Sequence, residues 1–220
     1  MRSAEPTAIG GSDKALVALP AKARAIDNPT GLSCHLEARV DMRFTETKLN
    51  GVWLIEPTPI VDDRGSFTRL FCEKEMADCG LATRFVQHSR SYSVKRGTLR
   101  GLHYQQEPHA EVKLVSCVRG AIFDVVVDLR LNSPTRHNWL AFELTPENMR
   151  QVYIPTGFAH GLQTLTNDAE VSYLISQFHT PHASMGLRYN DPAFSINWPL
   201  MPTAMSERDL NWPLLKNPVS

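Results

Sequence analysis

Near its middle the chain reads Lys113-Leu114-Val115-Ser116-Cys117-Val118-Arg119-Gly120-Ala121-Ile122-Phe123-Asp124-Val125-Val126-Val127-Asp128-Leu129, two apolar runs of strand length on either side of Arg119-Gly120. A glycine beside a polar residue between two such runs is typical of a β-hairpin turn. The stretch therefore predicts two neighbouring antiparallel strands, 113–118 and 121–129.

Short strand patterns continue on both sides of this stretch. Further strands are predicted over 52–55, 66–71, 139–144, 151–154, 161–165 and 170–177, separated by turns that contain Gly, Pro and Asn. One short helix is predicted over 73–79, with Gly80 as its C-terminal stop. Many short strands with few helices predict an all-β fold, an antiparallel sandwich or barrel.

A second informative stretch is Thr98-Leu99-Arg100-Gly101-Leu102-His103-Tyr104, which alternates like a β-strand. Alternation sends residues i and i+2 to one face, so Arg100 and His103 are expected on opposite faces. Gly101 removes side-chain bulk beside His103, which is expected to let a ligand approach. A single histidine in a strand is most often buried or satisfied at the surface, so this stretch alone does not define a site.

Composition limits the classes of function. The chain has 220 residues, enough for one sizeable domain. Its 23 basic and 23 acidic residues cancel, so neither a nucleic-acid nor a membrane partner is expected. No apolar run is long enough to span a bilayer. The four cysteines show no metal-ligand spacing, and reduced thiols in a cytoplasmic protein are the simpler interpretation.

Residues 1–41 differ from the rest of the chain in composition and in the pattern of apolar residues. They mix Ala, Pro, Gly, Ser and charged residues without sustained apolar periodicity, which predicts a flexible extension. Strand-like periodicity follows it, so residues 42–220 are predicted to form the folded domain.

Four polar residues are candidates to join His103 in a site: Lys113, His160, Tyr173 and Asp209. Each has an ordinary structural interpretation as well. A lysine that opens a strand is often solvated, and a tyrosine in an apolar strand often packs in a core with its hydroxyl bonded. The residues alone leave both interpretations open.

Many motifs stand in one order along the chain. They are Asp63-Arg64-Gly65-Ser66-Phe67; Phe85-Val86-Gln87; Thr98 through Gln105; Lys113-Leu114-Val115; Arg119-Gly120; Phe123-Asp124-Val125; Val127-Asp128-Leu129-Arg130; Ser133-Pro134-Thr135; Ile154-Pro155 through Gly161; Asn190-Asp191-Pro192; Asn197-Trp198-Pro199; and Ser206-Glu207-Arg208-Asp209. In this order they resemble the dTDP-4-dehydrorhamnose 3,5-epimerase family, a branch of the cupins. The resemblance covers nearly all of the chain after the extension.

The resemblance implies a fold and a partner. The expected fold is a cupin jelly roll, two packed antiparallel sheets with the site between them and a few short peripheral helices. The expected assembly is a homodimer. The expected substrate is a dTDP-linked 4-keto-6-deoxy sugar, whose stereocentres beside the ketone are inverted.

The resemblance also implies which residues carry the chemistry. Removing a proton beside a ketone needs a base, an acid across the ring and a group that stabilises the enolate oxygen. His103 matches the family's general base, Asp209 the carboxylate that orients it, Tyr173 the acid on the opposite face and Lys113 the enolate stabiliser. Arg100 and His160 match other substrate-pocket positions. Neither a metal nor another cofactor is expected.

Nucleotide binding is expected from other residues that match the family. Arg64, Phe67 and Gln87 match positions that hold the diphosphate and the base. The aromatic pair that stacks on thymine corresponds to Phe178-His179, so Phe178 is expected to stack and one aromatic residue has become histidine. Arg69 stands where many relatives carry glutamate. These departures leave the exact sugar nucleotide open, as well as the choice between inversion at C3 alone and at both C3 and C5.

Asp124 is the subject of a separate hypothesis. It lies in a strongly apolar strand, and a carboxylate in such a strand needs a partner. His160 is the expected partner, which would keep its imidazole oriented. A solvent-facing Asp124 is the alternative.

Two other functions are consistent with the cupin resemblance. One is a metal-dependent cupin, although His103 and His160 alone are too few for a catalytic site with three protein ligands. The other is a non-catalytic sugar-binding cupin, although none of His103, Tyr173, Asp209 and Lys113 is missing.

Overall fold

The structure is a computed structural model and describes residues 42–215. The flexible extension predicted for residues 1–41 lies outside the described residues. Within them, no helix has the length and apolar composition needed to cross a membrane. The described part of the chain forms two α-helices, α1 (Glu73–Asp78) and α2 (Glu207–Leu210), and a 3₁₀ turn over Pro181–Ala183. Gly80 follows α1 with a φ of +69°, as the predicted C-terminal stop requires.

Two antiparallel sheets contain most of the strands. The larger sheet has six strands in the spatial order β1 (Met42–Glu46), β2 (Trp53–Pro57), β10 (Gln151–Ile154), β7 (Lys113–Arg119), β12 (Ala169–Ile175) and β5 (Gln87–Ser93). The smaller sheet has five strands in the order β13 (Ser184–Gly186), β6 (Leu99–Gln105), β11 (Phe158–Thr164), β8 (Ile122–Asp128) and β9 (Trp139–Leu144). Strands β3 (Ile60–Asp62) and β4 (Gly65–Phe67) pair only with each other.

The main hydrophobic core joins the two large sheets. Val115 and Val171 of the six-stranded sheet pack in one cluster with Val126 and Leu162 of the five-stranded sheet, and all four are buried. Burial of apolar side chains from both inner faces is what holds a two-sheet sandwich together. The predicted all-β, two-layer architecture is therefore confirmed.

The predicted hairpin at Arg119-Gly120 is wrong, because β7 and β8 belong to different sheets. β7 pairs with β10 and β12, whereas β8 pairs with β11 and β9. The reason lies in the Val125-Val126-Val127 run: Val126 faces the core between the sheets, while Val125 and Val127 pack in a second apolar cluster. A strand buried on both faces belongs inside a covered sheet. Gly120, with a φ of +73°, lies where the chain crosses from one sheet to the other.

Candidate active site

A cavity of about 700 Å³ opens between the two large sheets. The five-stranded sheet contributes His103 and His160 to its wall, and the six-stranded sheet contributes Lys113 and Tyr173 from the facing side. Seven of the predicted site residues line this one cavity: Gln87, Arg100, His103, Lys113, His160, Tyr173 and Asp209. The fold thus brings together residues that are widely separated along the chain.

A β-bulge in β6 places Arg100 and His103 in the same cavity. His103 pairs with His160 of β11 and Arg100 pairs with Leu162, so two residues of β6 face the single intervening residue of β11. The extra residue reverses the alternation, because each inserted residue turns the following side chains to the other face. The expectation that Arg100 and His103 lie on opposite faces is therefore wrong at this point.

Gly101, in that bulge, makes room for backbone rather than for a ligand. Its φ is +119°, and a Cβ placed there would lie 2.6 Å from the Cα of Gly161 and 2.9 Å from the carbonyl oxygen of His160. The expectation that this glycine admits a ligand is thus corrected. Its missing side chain allows β6 and β11 to approach closely enough for His103 and His160 to lie side by side.

His103 and Asp209 form a hydrogen-bonded pair. The Nε2 of His103 lies 2.6 Å from Oδ1 of Asp209, and the backbone N–H of Gly101 donates to the other carboxylate oxygen at 3.2 Å. Burial by itself raises the pKa of Asp209, but the hydrogen bond and charge of His103 together with the Gly101 N–H hold this pKa below its usual value. An ionised Asp209 accepts from Nε2–H, which leaves the His103 Nδ1 as the nitrogen that takes up a proton.

Tyr173 enters the cavity from the six-stranded sheet. Its hydroxyl lies 3.1 Å from Oγ of Ser91 on β5, and its ring packs edge-to-face against that of His160 with centroids 6.2 Å apart. Burial raises the pKa of Tyr173 to about 12. The phenol therefore keeps its proton at neutral pH and is available to donate it.

His160 and Asp124 form a second histidine–carboxylate pair behind the cavity. Nε2 of His160 lies 2.7 Å from Oδ1 of Asp124, whose side chain is completely buried. The hypothesis that Asp124 partners His160 is confirmed. A buried carboxylate needs a hydrogen-bond partner. The bond that satisfies Asp124 also fixes the orientation of the His160 ring.

Lys113 has an acidic neighbour that the sequence analysis missed. Its Nζ lies 2.9 Å from Oε1 of Glu111, and both side chains are about nine-tenths buried at the cavity wall. The two residues are separated by one position in an extended segment, and that i, i+2 spacing was the available signal. An ammonium with three donors keeps capacity for a ligand oxygen beside this ion pair.

With this geometry in view, the comparison with known proteins decides the family. Residues 46–217 match the family model described as dTDP-4-dehydrorhamnose 3,5-epimerase. The chain belongs to this family. It is therefore an epimerase, and the family assignment made from the ordered motifs is confirmed.

Three relatives illustrate the match, and each is covered over nearly its whole length. The dTDP-4-dehydrorhamnose 3,5-epimerase of Sinorhizobium fredii (strain NBRC 101917 / NGR234) is 45% identical over 186 residues, which are 82% of this chain and 93% of the relative. The crystal structure of the Bacillus anthracis str. Ames enzyme with TDP and PPi bound is 40% identical, with a TM-score of 0.77, covering 79% of this chain and 99% of that one. A Legionella pneumophila Philadelphia 1 epimerase in complex with dTDP-4-keto-L-rhamnose is 39% identical, with a TM-score of 0.75, covering 79% and 92%.

Three predicted site residues lie away from the cavity of this epimerase domain. Arg64 is exposed and pairs with Asp62, and Phe67 is 69% exposed on the β3–β4 hairpin. Phe178 is 61% exposed, whereas the next residue, His179, lines the cavity. Of the Phe178-His179 pair, the histidine is thus the residue that lines the cavity.

Arg208 is a cavity residue that the sequence analysis did not single out. Its guanidinium lies over the ring of Trp212 and donates to the carbonyl oxygen of Ser184 at 2.9 Å. Its signal was its place next to Asp209 in a family motif. Arg100 likewise donates to neutral acceptors, Oγ of Ser93 and the carbonyl oxygen of Tyr92. Both arginines therefore bring positive charge to the cavity that these contacts do not cancel.

Metal ligands do not gather at this site. Across residues 42–215, no group of three His, Cys, Asp or Glu side chains is placed to hold an ion. His103 and His160 are each hydrogen-bonded through Nε2 to a carboxylate of their own. Both histidines are thus engaged with carboxylates.

Proposed function

We propose that this epimerase inverts C3, C5 or both in a dTDP-4-keto-6-deoxyhexose, in deoxysugar biosynthesis of the dTDP-rhamnose type, with His103 as base and Tyr173 as acid. The observation that carries this assignment is their placement on facing sheets of one cavity. A sugar ring between the sheets presents one face to each residue. The relative from Legionella pneumophila with dTDP-4-keto-L-rhamnose bound supports the substrate class.

The proton transfers follow from the two side chains. Nδ1 of His103 takes the proton from the carbon beside the ketone, and the C–H electron pair becomes the C=C bond of an enolate. Asp209 stabilises the imidazolium that forms. Tyr173 then gives its hydroxyl proton to the same carbon from the opposite face, leaving a phenolate. The imidazolium proton returns to the phenolate through solvent, so no proton is gained or lost overall.

The developing charge on the ketone oxygen needs a donor, and Lys113 supplies it. Its ammonium lies on the cavity wall in the neighbouring strand to Tyr173, with Glu111 holding one side. Preorganised donors in a partly dry cavity stabilise an oxyanion more strongly than water does. No metal or other cofactor enters this mechanism.

Nucleotide binding is assigned to the polar rim of the cavity. The guanidinium group of Arg208 suits diphosphate oxygens, because it offers several donors in one plane. The Oε1 of Gln87 accepts from the backbone N–H of His179 at 2.8 Å, which orients the amide so that its NH₂ can donate to a base carbonyl. The ring of His179 offers a flat face to the base.

Isotope exchange tests the proposed reaction. The protein is incubated with dTDP-4-keto-6-deoxyglucose in deuterated water, and the label is located by NMR. We expect deuterium with inverted configuration at C5 and C3 if both centres are inverted, and deuterium with inverted configuration at C3 alone if the enzyme inverts one centre. Unlabelled sugar at both carbons would contradict the proposal and favour a non-catalytic sugar-binding cupin.

A homodimer would give Arg64 and Phe67 a role. The β3–β4 hairpin pairs with neither large sheet and exposes three apolar side chains, Ile60, Val61 and Phe67. Exposed apolar clusters of this kind mark contact surfaces. We infer that the hairpin reaches the cavity of a second copy and places Arg64 at its diphosphate. Reduced thiols at Cys72 and Cys117 fit the proposed cytoplasmic location.

Mixed dimers test this assembly. Arg64→Ala disables the hairpin and His103→Asn disables the cavity, so each variant alone is expected to be inactive. After the two are mixed and exchanged, a heterodimer has one intact cavity with one intact hairpin, and about a quarter of the wild-type activity is expected to return. A mixture that stays inactive although sedimentation shows heterodimers would contradict the shared site.

A further inference from the structure

Tyr173 is held at its hydroxyl by a residue that no step above uses. Ser91, on the edge strand β5, places Oγ 3.1 Å from the phenol oxygen, and it lines the cavity beside Tyr173. β5 and β12 are paired along their whole length. The phenol is therefore fixed from two sides, by Ser91 at its oxygen and by the His160 ring at its edge.

Proton donation creates a charge that the cavity must accommodate. When Tyr173 gives up its proton, a phenolate remains in a buried position, and burial disfavours that anion. Two groups act against this penalty: the hydrogen bond from Ser91 and the positive charge of Arg100. The Ser91 hydroxyl rotates freely, so it can accept from the phenol before proton transfer and donate to the phenolate afterwards.

The edge strand β5 supports both of these groups with a pair of serines. Ser91 contacts Tyr173, and Ser93, two positions further on the same face, accepts from Nε of Arg100 at 3.0 Å. Because Ser93 is neutral, this contact holds the guanidinium in place without cancelling its charge. The strand thus aims a hydroxyl and a cation at one end of the cavity.

We propose that Ser91 is a positioning residue for the acid step: it aims the Tyr173 hydroxyl at the sugar and donates a hydrogen bond to the phenolate that proton donation leaves. This inference rests on the proposed function, in which Tyr173 supplies the proton that completes inversion. Ser91 acts through Tyr173 and takes no part in the removal of the first proton by His103.

Exchange without inversion separates the two steps. The side chain of His103 is 41% exposed, so the imidazolium can trade its proton for solvent deuterium. Returning that deuterium to the same face labels the sugar and leaves its configuration unchanged. Exchange on this face depends on His103 and Asp209, whereas inversion also requires Tyr173. The ratio of inversion to exchange therefore measures the acid step alone.

Ser91→Ala is the test, assayed with dTDP-4-keto-6-deoxyglucose in deuterated water. We expect the inversion rate to fall about tenfold, the effect of losing one hydrogen bond to a charged group, while total exchange stays within about twofold of wild type. Ser91→Thr, which keeps the hydroxyl, is expected to restore the wild-type ratio. Tyr173→Phe removes the acid altogether, so it is expected to retain exchange and lose inversion, which sets the lowest value of the ratio.

A matched control removes the same chemical group from the same pair of strands. Ser172 is adjacent to Tyr173 on β12, and its Oγ bonds the ring of His88 on β5 at 2.8 Å, on the face away from the cavity. Ser172→Ala is expected to leave the ratio of inversion to exchange unchanged. If Ser172→Ala lowers the ratio as much as Ser91→Ala does, strand pairing explains the effect and the positioning role is refuted.

The remaining outcomes are distinct from one another. If Ser91→Ala inverts and exchanges at wild-type rates, or loses both equally, the inference is overturned while the epimerase function stands. If the wild-type protein shows neither exchange nor inversion, it is the proposed function that fails.

Discussion

His103→Asn is expected to lower the rate of proton exchange beside the sugar ketone about a thousandfold or more, because the variant has no nitrogen that can take up the proton. Asp209 still accepts from the backbone N–H of Gly101, so the carboxylate keeps a partner in the variant. Exchange into dTDP-4-keto-6-deoxyglucose, followed by NMR, measures the effect.

The control for His103→Asn is the same substitution at an exposed histidine. His182 stacks edge-to-face with His109 and does not line the cavity. His182→Asn is expected to exchange at the wild-type rate. The affinity for dTDP, measured by calorimetry, is expected to be similar in the wild type, His103→Asn and His182→Asn. Residual exchange above about a tenth of wild type in His103→Asn would show that another group is the base.

Gly101→Ala is expected to destabilise the domain by about 3 kcal/mol and to disrupt the site at the same time. The new methyl group would lie 2.6 Å from the Cα of Gly161, and the φ of +119° is one that alanine avoids. Separating β6 from β11 also displaces the Gly101 N–H that donates to Asp209. Urea unfolding measures the loss of stability, and the exchange assay measures the loss of activity.

Gly80→Ala separates backbone strain from steric overlap. Gly80 also has a positive φ, +69°, but a Cβ there would meet nothing within 4 Å. This variant is expected to lose only about 1 kcal/mol of unfolding free energy and to retain full activity. If Gly101→Ala and Gly80→Ala lose the same unfolding free energy, the close approach of β6 and β11 does not account for the effect of Gly101→Ala.

The sequence was sufficient for the architecture but not for the strand connections. Gly, Pro and Asn turns delimited the strands well, and 139–144 and 151–154 coincide with β9 and β10. The Arg119-Gly120 turn was misassigned because a turn signal records that the chain bends, and does not record which sheet it enters. The Val125–Val127 run, apolar on both faces, was the evidence that this strand is buried on both sides.

A site residue could be predicted when its neighbours in the sequence carry the signal, and not when the signal depends on contacts between distant positions. Asp124 required only its apolar neighbours to predict a partner, and the structure supplies His160. The contact between His103 and Asp209 spans 106 positions, so only the family resemblance suggested it. The bulge at Gly101 was hidden because a single inserted residue changes the faces of a strand while leaving its alternating pattern intact.

The proposed proton acceptor, His103, and the proposed proton donor, Tyr173, lie on different sheets, so core packing is expected to influence stereochemistry. The Tyr173 ring packs against the same cluster that contains Val115, Val126 and Leu162. The distance between the two sheets at the cavity therefore depends on how this apolar layer packs, because packed interiors transmit small changes of volume. We expect substitutions at core positions such as Val115 and Val126, which do not line the cavity, to shift the balance between inversion at one centre and at two.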